Sequence, residues 1–452
     1  MRKVYRVLDL FAGIGGLSYG FEIFKEEGRS VFETICAVDV DRYACETLRK
    51  NLEYRGENPD IVLQADLTDP ETHDLIIKKC DGRVDIIIGG PPCQSYSSIG
   101  TRSAPQKIRN KFINDPRDRL YLEYIRLIKE LRPYFIVFEN VMGVLTKRDP
   151  DGKKYIDLIV ESIQSCGYST AFNDEYRSNY KILNAADYGV PQERQRVFII
   201  ANRLNILNRV PAGTHSKDGN LPGTLPYVTL RHAIGDLPFI QAPCTMWGIP
   251  KEKHEEFKLK NLNKKLGKDE DKYHIGMEEF KKYCDLLDEQ GKKFLDFIKP
   301  EKEIKLTGHI ARGQQYSDIE LFKKMQEGTT SKDIFKNDKY KKLRAFIKYD
   351  MKSFKDKYRK HSWNFPCKTV FAHMEKDGNR FIHPDSKQAR TFTVREAARI
   401  QSFPDDFIFA APGTVRYKYI GNAVPPLVGK AIAEAIYKTL SSLNKNENIG
   451  TG

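Results

Sequence analysis

Over its first two hundred residues the chain alternates short, β-rich apolar runs with longer stretches of helical periodicity, and that alternation leaves few folds open to it. Strands are predicted at 4–10, 34–39, 61–64, 84–88, 134–138 and 197–201, and helices at 16–24, 42–51, 118–131 and 155–166. The pattern predicts an α/β domain with a mostly parallel sheet and helices on both faces. Ligands of such sheets bind at the carboxyl ends of the strands, so the residues just past each run carry the functional information. After Arg203 the character changes. Pro- and Gly-rich loops at 211–226 lead into a Lys-rich region at 250–360 with weaker periodicity. An ordinary pattern returns near Arg390 and ends in an apolar helix at 427–443, with a disordered polar tail expected at 444–452. No internal repeat is present, and 452 residues suffice for two or three domains.

The first strand runs into Asp9-Leu10-Phe11-Ala12-Gly13-Ile14-Gly15-Gly16 and then a helix. Glycines at that junction let backbone amides and a helix N-terminus approach a polar ligand. The second strand ends at Asp39, placed to accept from ribose hydroxyls, and the third near Asp66, which could accept from an adenine amino group. The loop is neither a GxGxxG fingerprint nor a GxxxxGK[ST] phosphate loop. An adenosine ligand without a pyrophosphate, such as S-adenosylmethionine, fits better than NAD or ATP.

The fourth strand leads into Gly89-Gly90-Pro91-Pro92-Cys93-Gln94. The glycines permit close approach and the prolines fix φ, so Cys93 is held rigidly in the ligand crevice. It reads as a nucleophile, against the alternative of a small buried apolar residue. The fifth strand ends in Glu139-Asn140-Val141. Glu139 is either a partner for Cys93 or a turn acid. Gln192-Glu193-Arg194-Gln195-Arg196 enters the last strand, with two arginines at alternate positions pointing the same way. They suit an anion or a carbonyl oxygen to be held, or a surface salt bridge.

With these motifs in hand, the sequence resembles the DNA (cytosine-5)-methyltransferases of the bacterial modification type. The resemblance spans both ends of the chain. It rests on the Asp9-to-Gly16 loop, Gly89 to Gln94, Asp115-Pro116-Arg117-Asp118-Arg119-Leu120, Glu139-Asn140-Val141, Gln192 to Arg196, the run 390–404, and Gly421-Asn422-Ala423-Val424-Pro425-Pro426. Departures are small: Tyr96 stands where Phe is usual, Asp39 where Glu is common, and Tyr419 where Gln often precedes Ile-Gly-Asn. The resemblance implies a Rossmann-like S-adenosylmethionine-dependent methyltransferase domain of mixed, mostly parallel sheet, with a smaller inserted target-recognition domain. Residues 1–203 and 388–452 would form the discontinuous catalytic domain, and 204–387 the recognition domain.

The implied chemistry assigns each motif a part. Cys93 would attack C6 of a cytosine flipped out of duplex DNA, activating C5 for methylation. Glu139 would engage N3 and the 4-amino group, with its pKa raised by desolvation. Arg196 would hold the O2 carbonyl, and Arg194 belongs to the same catalytic set. The cofactor site would draw on Phe11 against the adenine, with Gly13, Gly15, Asp39 and Asp66. Pro91, Leu120 and Asn422 complete it, Asn422 near the methionine carboxylate. The segment 95–115, with Arg102, Lys107, Arg109 and Lys111, reads as a lid over the flipped base.

Charge supports a polyanionic partner: the formal net charge is +14. Double-stranded DNA is the expected partner, with a cognate restriction endonuclease acting on the same site and no stable complex implied. The run 339–360 mixes basic residues with aromatics, which suits phosphate contacts, while 308–315 and 362–364 hold groups able to read base edges. The eight cysteines are scattered without CxxC or zinc spacing, so no metal is expected. The chain shows neither an apolar run of bilayer length nor a signal peptide, and the expectation is a cytoplasmic, nucleoid-associated monomer. A tRNA cytosine-5 methyltransferase is the alternative substrate class, but its Cys-Phe-Thr signature does not occur. A catalytically dead DNA-binding homologue is the alternative of another kind, opposed by the intact Cys93, Glu139 and Arg196.

Overall fold

The computed structural model describes residues 3–92, 119–245, 283–299, 306–349 and 356–449. Cys93, the lid segment at 95–115 and most of the Asp115-to-Leu120 motif lie outside the described residues, as do parts of the Lys-rich region.

The chain forms two compact units. The first comprises Met1–Tyr188, Arg194–Thr214 and Ala423–Gly452. Its sheet has seven strands: β1 (Tyr5–Leu10), β2 (Phe32–Asp39), β3 (Val62–Gln64), β4 (Ile86–Gly89), β5 (Phe135–Asn140), β6 (Lys181–Asn184) and β7 (Gln195–Asn202). The spatial order is β3-β2-β1-β4-β5-β7-β6. Strands β1 to β5 pair in parallel, whereas β7 runs antiparallel to both β5 and β6. Chain order reverses direction at β1: β2 and β3 lie on one side, β4 and β5 on the other. A crevice therefore opens between the carboxyl ends of β1 and β4. The register sets Leu10 beside Gly89 and Gly89 beside Phe138, so the three loops that follow share one edge.

The central strands are continuous apolar runs because both faces are covered. Ile86, Ile87 and Ile88 are fully buried, as are Ile136 and Val137. The helix Tyr121–Leu131 packs beside them, and its buried Tyr124 donates its hydroxyl to the carbonyls of Ile87 and Val137 at 3.0 and 2.9 Å. Against the helix Gly16–Glu22 lies the C-terminal helix, Pro426–Ile449. That helix extends through the stretch 444–449 that composition marks as a disordered tail. The two helices cross at Gly20 and Gly429: a Cβ on Gly20 would stand 2.5 Å from the Pro426 carbonyl and 2.6 Å from the Gly429 Cα.

The second unit comprises Gly189–Glu193 and His215–Asn422. One apolar cluster gathers Phe322, Ile334, Tyr358 and Ile382. Beside it runs an unusually polar interior built on the helix Val394–Ile400. Arg390 pairs with Glu396 at 2.6 Å; Arg399 spans Asp236 at 2.5 Å and Asp405 at 2.7 Å. Arg395 donates to the carbonyls of Thr307, Pro404 and Phe407. These contacts draw the boundary between units differently from the sequence division. Residues 388–422 pack with the middle segment, because their arginines find acids and carbonyls there, and the chain rejoins the first unit at Ala423.

Candidate active site at the carboxyl edge of the sheet

The loop after β1 is shaped by backbone conformation. Phe11, Gly13 and Gly15 have φ of 57°, 56° and 79°, and a non-glycine residue holds the left-handed region only where its surroundings impose it. Glycine at the N-cap supplies no side chain to the helix Gly16–Glu22. Asp9, 1% exposed, reaches Ser18 of that helix instead, and burial pushes its carboxyl up to about 7. Asp39 anchors the loop from the next strand, accepting the amides of Gly13 and Asp41 at 2.8 Å each. Its carboxylate is held in place by the loop. Asp66 is exposed and accepts from the amide and hydroxyl of Thr68 through one oxygen.

The donor set tests what this edge can hold. A Cβ on Gly13 would meet no heavy atom within 4 Å, so that side of the loop is open. Phe11 stands half-exposed against the core of the sheet. Carboxylates at successive strand ends accept from hydroxyl and amino donors. An adenosine, with its ribose hydroxyls and amino group as donors, fits these acceptors. Pro91 is buried beyond β4, and Leu120 is half-buried at the start of the helix Tyr121–Leu131. Asn422 is the exposed last residue of the helix Arg416–Asn422 and belongs to the second unit.

Two strands away, the antiparallel pairing of β7 with β5 sets Phe198 opposite Glu139 and Val197 opposite Asn140. That register brings Arg196 Nε to 3.2 Å from Glu139 Oε1. Burial pushes the Glu139 carboxyl up, opposed by the Arg196 and then the Arg194 guanidinium. The two arginines differ in what they touch. Arg194 is buried and donates through Nη2 to the Ala423 carbonyl at 3.0 Å, tying the returning C-terminal segment to the sheet. Arg196 meets the carboxyl directly.

Two further residues shape the turn that leads to Cys93. A Cβ on Gly90 would lie 2.7 Å from Glu139 Oε2, so glycine there admits the carboxyl over the turn. Asn140, 3% exposed, directs its amide toward the Pro91 carbonyl at 3.5 Å while accepting from the Val141 amide at 2.8 Å. Sequence reading gave Asn140 no role, although a buried amide at a strand end is a signal for one.

Comparison with known proteins accords with this edge. The profile of the C-5 cytosine-specific DNA methylase family matches residues 5–438. The chain belongs to the C-5 cytosine-specific DNA methylases. It is a DNA cytosine methyltransferase, and its methyl donor is S-adenosylmethionine. Type II methyltransferase M.DdeI of Desulfomicrobium norvegicum is 32% identical, over 97% of this chain and 90% of its own. M.Bpa9945I of Bacillus paralicheniformis is 30% identical over 95% and 98%. Among solved structures, a prophage-encoded protein of E. coli, described as a DNA modification methyltransferase, aligns with a TM-score of 0.59. It is 22% identical and covers 97% of this methylase and 99% of its own chain, a likeness of fold. The Rossmann-like methyltransferase sheet expected from sequence is the one observed. No helix among the described residues is long and apolar enough to cross a membrane.

Proposed function

We propose that this methylase is the sequence-specific modification enzyme of a restriction–modification system. It flips one cytosine from its site and attacks C6 with Cys93. The observation that supports this most is the ion pair between Glu139 and Arg196 at the strand edge from which the Gly90-Pro91-Pro92 turn leads to Cys93. A cytosine edge presents O2 and N3 as acceptors and the 4-amino group as donor. A guanidinium beside a protonated carboxyl presents the complementary set.

In this reading the Cys93 thiolate adds to C6, and negative charge develops on the ring. Glu139 supplies a proton at N3 and accepts from the 4-amino group, which burial of its carboxyl favours. Arg196 stabilises the charge at O2. Bound S-adenosylmethionine supplies the methyl group to C5. Phe11, Asp39 and Asp66 would hold its adenosine, with Gly13, Gly15, Pro91, Leu120 and Asn422 around it. Loss of the C5 proton then lets Cys93 leave by β-elimination. The first unit would carry the chemistry and most of the second the reading of sequence. The relatives named type II methyltransferases support the restriction–modification setting.

Expression in a host without cytosine methylation, followed by bisulfite sequencing of its genome, tests the reading. Protected cytosines sharing one short context are expected. A fully converted genome with soluble protein would overturn it.

A further inference from the structure

We propose that His73 is a positioning residue for the adenine end of the cofactor, and that it aims the Asp66 carboxylate through one rigid peptide. This rests on the reading of Asp66 as the acceptor for the adenine amino group. His73 lies on the helix Pro70–Lys79, three residues before Ile76 and buried with it. Its ring reaches back beyond the start of that helix, and Nε2 stands 2.9 Å from the Leu67 carbonyl oxygen. The carbonyl can only accept, so Nε2 carries the hydrogen and donates it.

The Leu67 carbonyl and the Thr68 amide belong to one planar trans peptide group. The two point in opposite directions, so a donor that fixes the carbonyl also fixes the amide. That amide donates to Asp66 Oδ1 at 2.9 Å, and the Thr68 hydroxyl joins it on the same oxygen at 2.8 Å. A buried ring on one side of the peptide thus sets the exposed carboxylate on the other. Oδ2 takes neither bond and is the oxygen left to accept from an amino group. The same His73 Nε2 lies 3.4 Å from Glu123 Oε2, and the Glu123 amide donates to the Leu120 carbonyl at 3.2 Å. One ring nitrogen therefore faces both the Asp66 turn and the helix start that carries Leu120.

Packing alone does not call for histidine here. The residue is 4% exposed, and its Nδ1 has no hydrogen-bond partner among the described residues. A buried polar atom left unpaired costs stability, and a leucine at the same helical position would be buried without that cost. The Leu67 side chain already sits in the apolar core, which places the residue without setting the direction of its carbonyl. What histidine adds is the hydrogen on Nε2.

The test measures equilibrium binding of S-adenosylhomocysteine and of its deaminated analogue, S-inosylhomocysteine, to the full-length enzyme by calorimetry. The analogue carries a carbonyl oxygen in place of the exocyclic amino group, so the ratio of the two Kd values reads the acceptor at that end. His73→Leu should weaken S-adenosylhomocysteine about 10-fold, the order of one hydrogen bond, and leave S-inosylhomocysteine no weaker. His73→Met, a second apolar variant, should do the same. His73→Gln, whose amide nitrogen has the reach of Nε2, should restore the preference. Ile76→Ala, on the same buried face, should lower thermal stability without changing the ratio, which separates aim from support. A ratio kept in His73→Leu and His73→Met but lost in Asp66→Ala would overturn the proposal. So would an equal loss for both ligands, or a loss that glutamine does not restore. A ratio lost in His73→Leu yet kept in Asp66→Ala would instead sink the reading of Asp66, with the selectivity still traced to His73.

Discussion

Glu139 has two relationships that pull its protonation in opposite directions. Burial favours the neutral acid, and the Arg196 guanidinium 3.2 Å away favours the carboxylate. The net effect raises its pKa above the usual carboxylate range, so its acid form survives to higher pH than that of a free glutamate. If the acid form is the one that works, activity should fall as pH rises through that raised pKa. Glu139→Gln should slow single-turnover methylation by about 100-fold or more and abolish that limb. An undiminished rate would reduce the residue to a turn acid. Cys93→Ala should abolish methyl transfer while DNA and cofactor still bind in equilibrium measurements; retained turnover would remove cysteine as nucleophile. Both residues stand out in sequence because their motifs are contiguous. What the string hides is mutual support. That Asp39 pins Gly13, that Gly90 is small for the sake of Glu139, and that Arg194 holds Ala423 each join positions far apart in the chain or across a turn.

At the level of elements, the strands whose apolar runs are buried on both faces are legible, and those with weak runs are not. The edge strand β6, Lys181–Asn184, is four residues long with Ile182 exposed, so no period marks it. The helix Pro70–Lys79 escapes because it buries Thr72 and His73 beside Ile76 in place of an apolar stripe. Its start is nevertheless written in Asp69-Pro70-Glu71, a capping residue with proline at the first helical position. A crossing that no periodicity announces is the one between Gly20 and Gly429. A methyl group on Gly429 would lie 2.8 Å from the Leu17 carbonyl, too close without moving a helix. Gly429→Ala should therefore cost about 1–3 kcal/mol in urea denaturation, the range of overpacking. An unchanged midpoint would show that the two helices can separate without loss.

For the whole molecule, the return of the C-terminal helix to the first unit follows from the motif order, but the place of its return does not. Reading the run 390–404 as part of the catalytic segment puts the boundary at 388. The side chains group differently, with Arg399 paired to Asp236 and Arg395 donating to the Thr307 carbonyl. Buried guanidiniums are costly to leave unpaired, at about 3–5 kcal/mol for a broken pair. Two exchanges with a type II relative separate the boundaries. Replacing 215–421, which leaves Asn422 of the proposed cofactor site in place, takes both partners of each buried pair from one donor. It should move the methylated context, read by bisulfite sequencing, while leaving cofactor affinity unchanged. Replacing 204–387 alone sets a foreign partner against Arg395 and Arg399, and should give a less stable protein by thermal denaturation wherever the donor lacks an acid opposite Arg399. If the shorter exchange were as stable as the longer one with such a donor, the buried arginines would not be what joins 388–422 to the recognition segment. If neither exchange moved the context, sequence reading would have to lie outside the second unit.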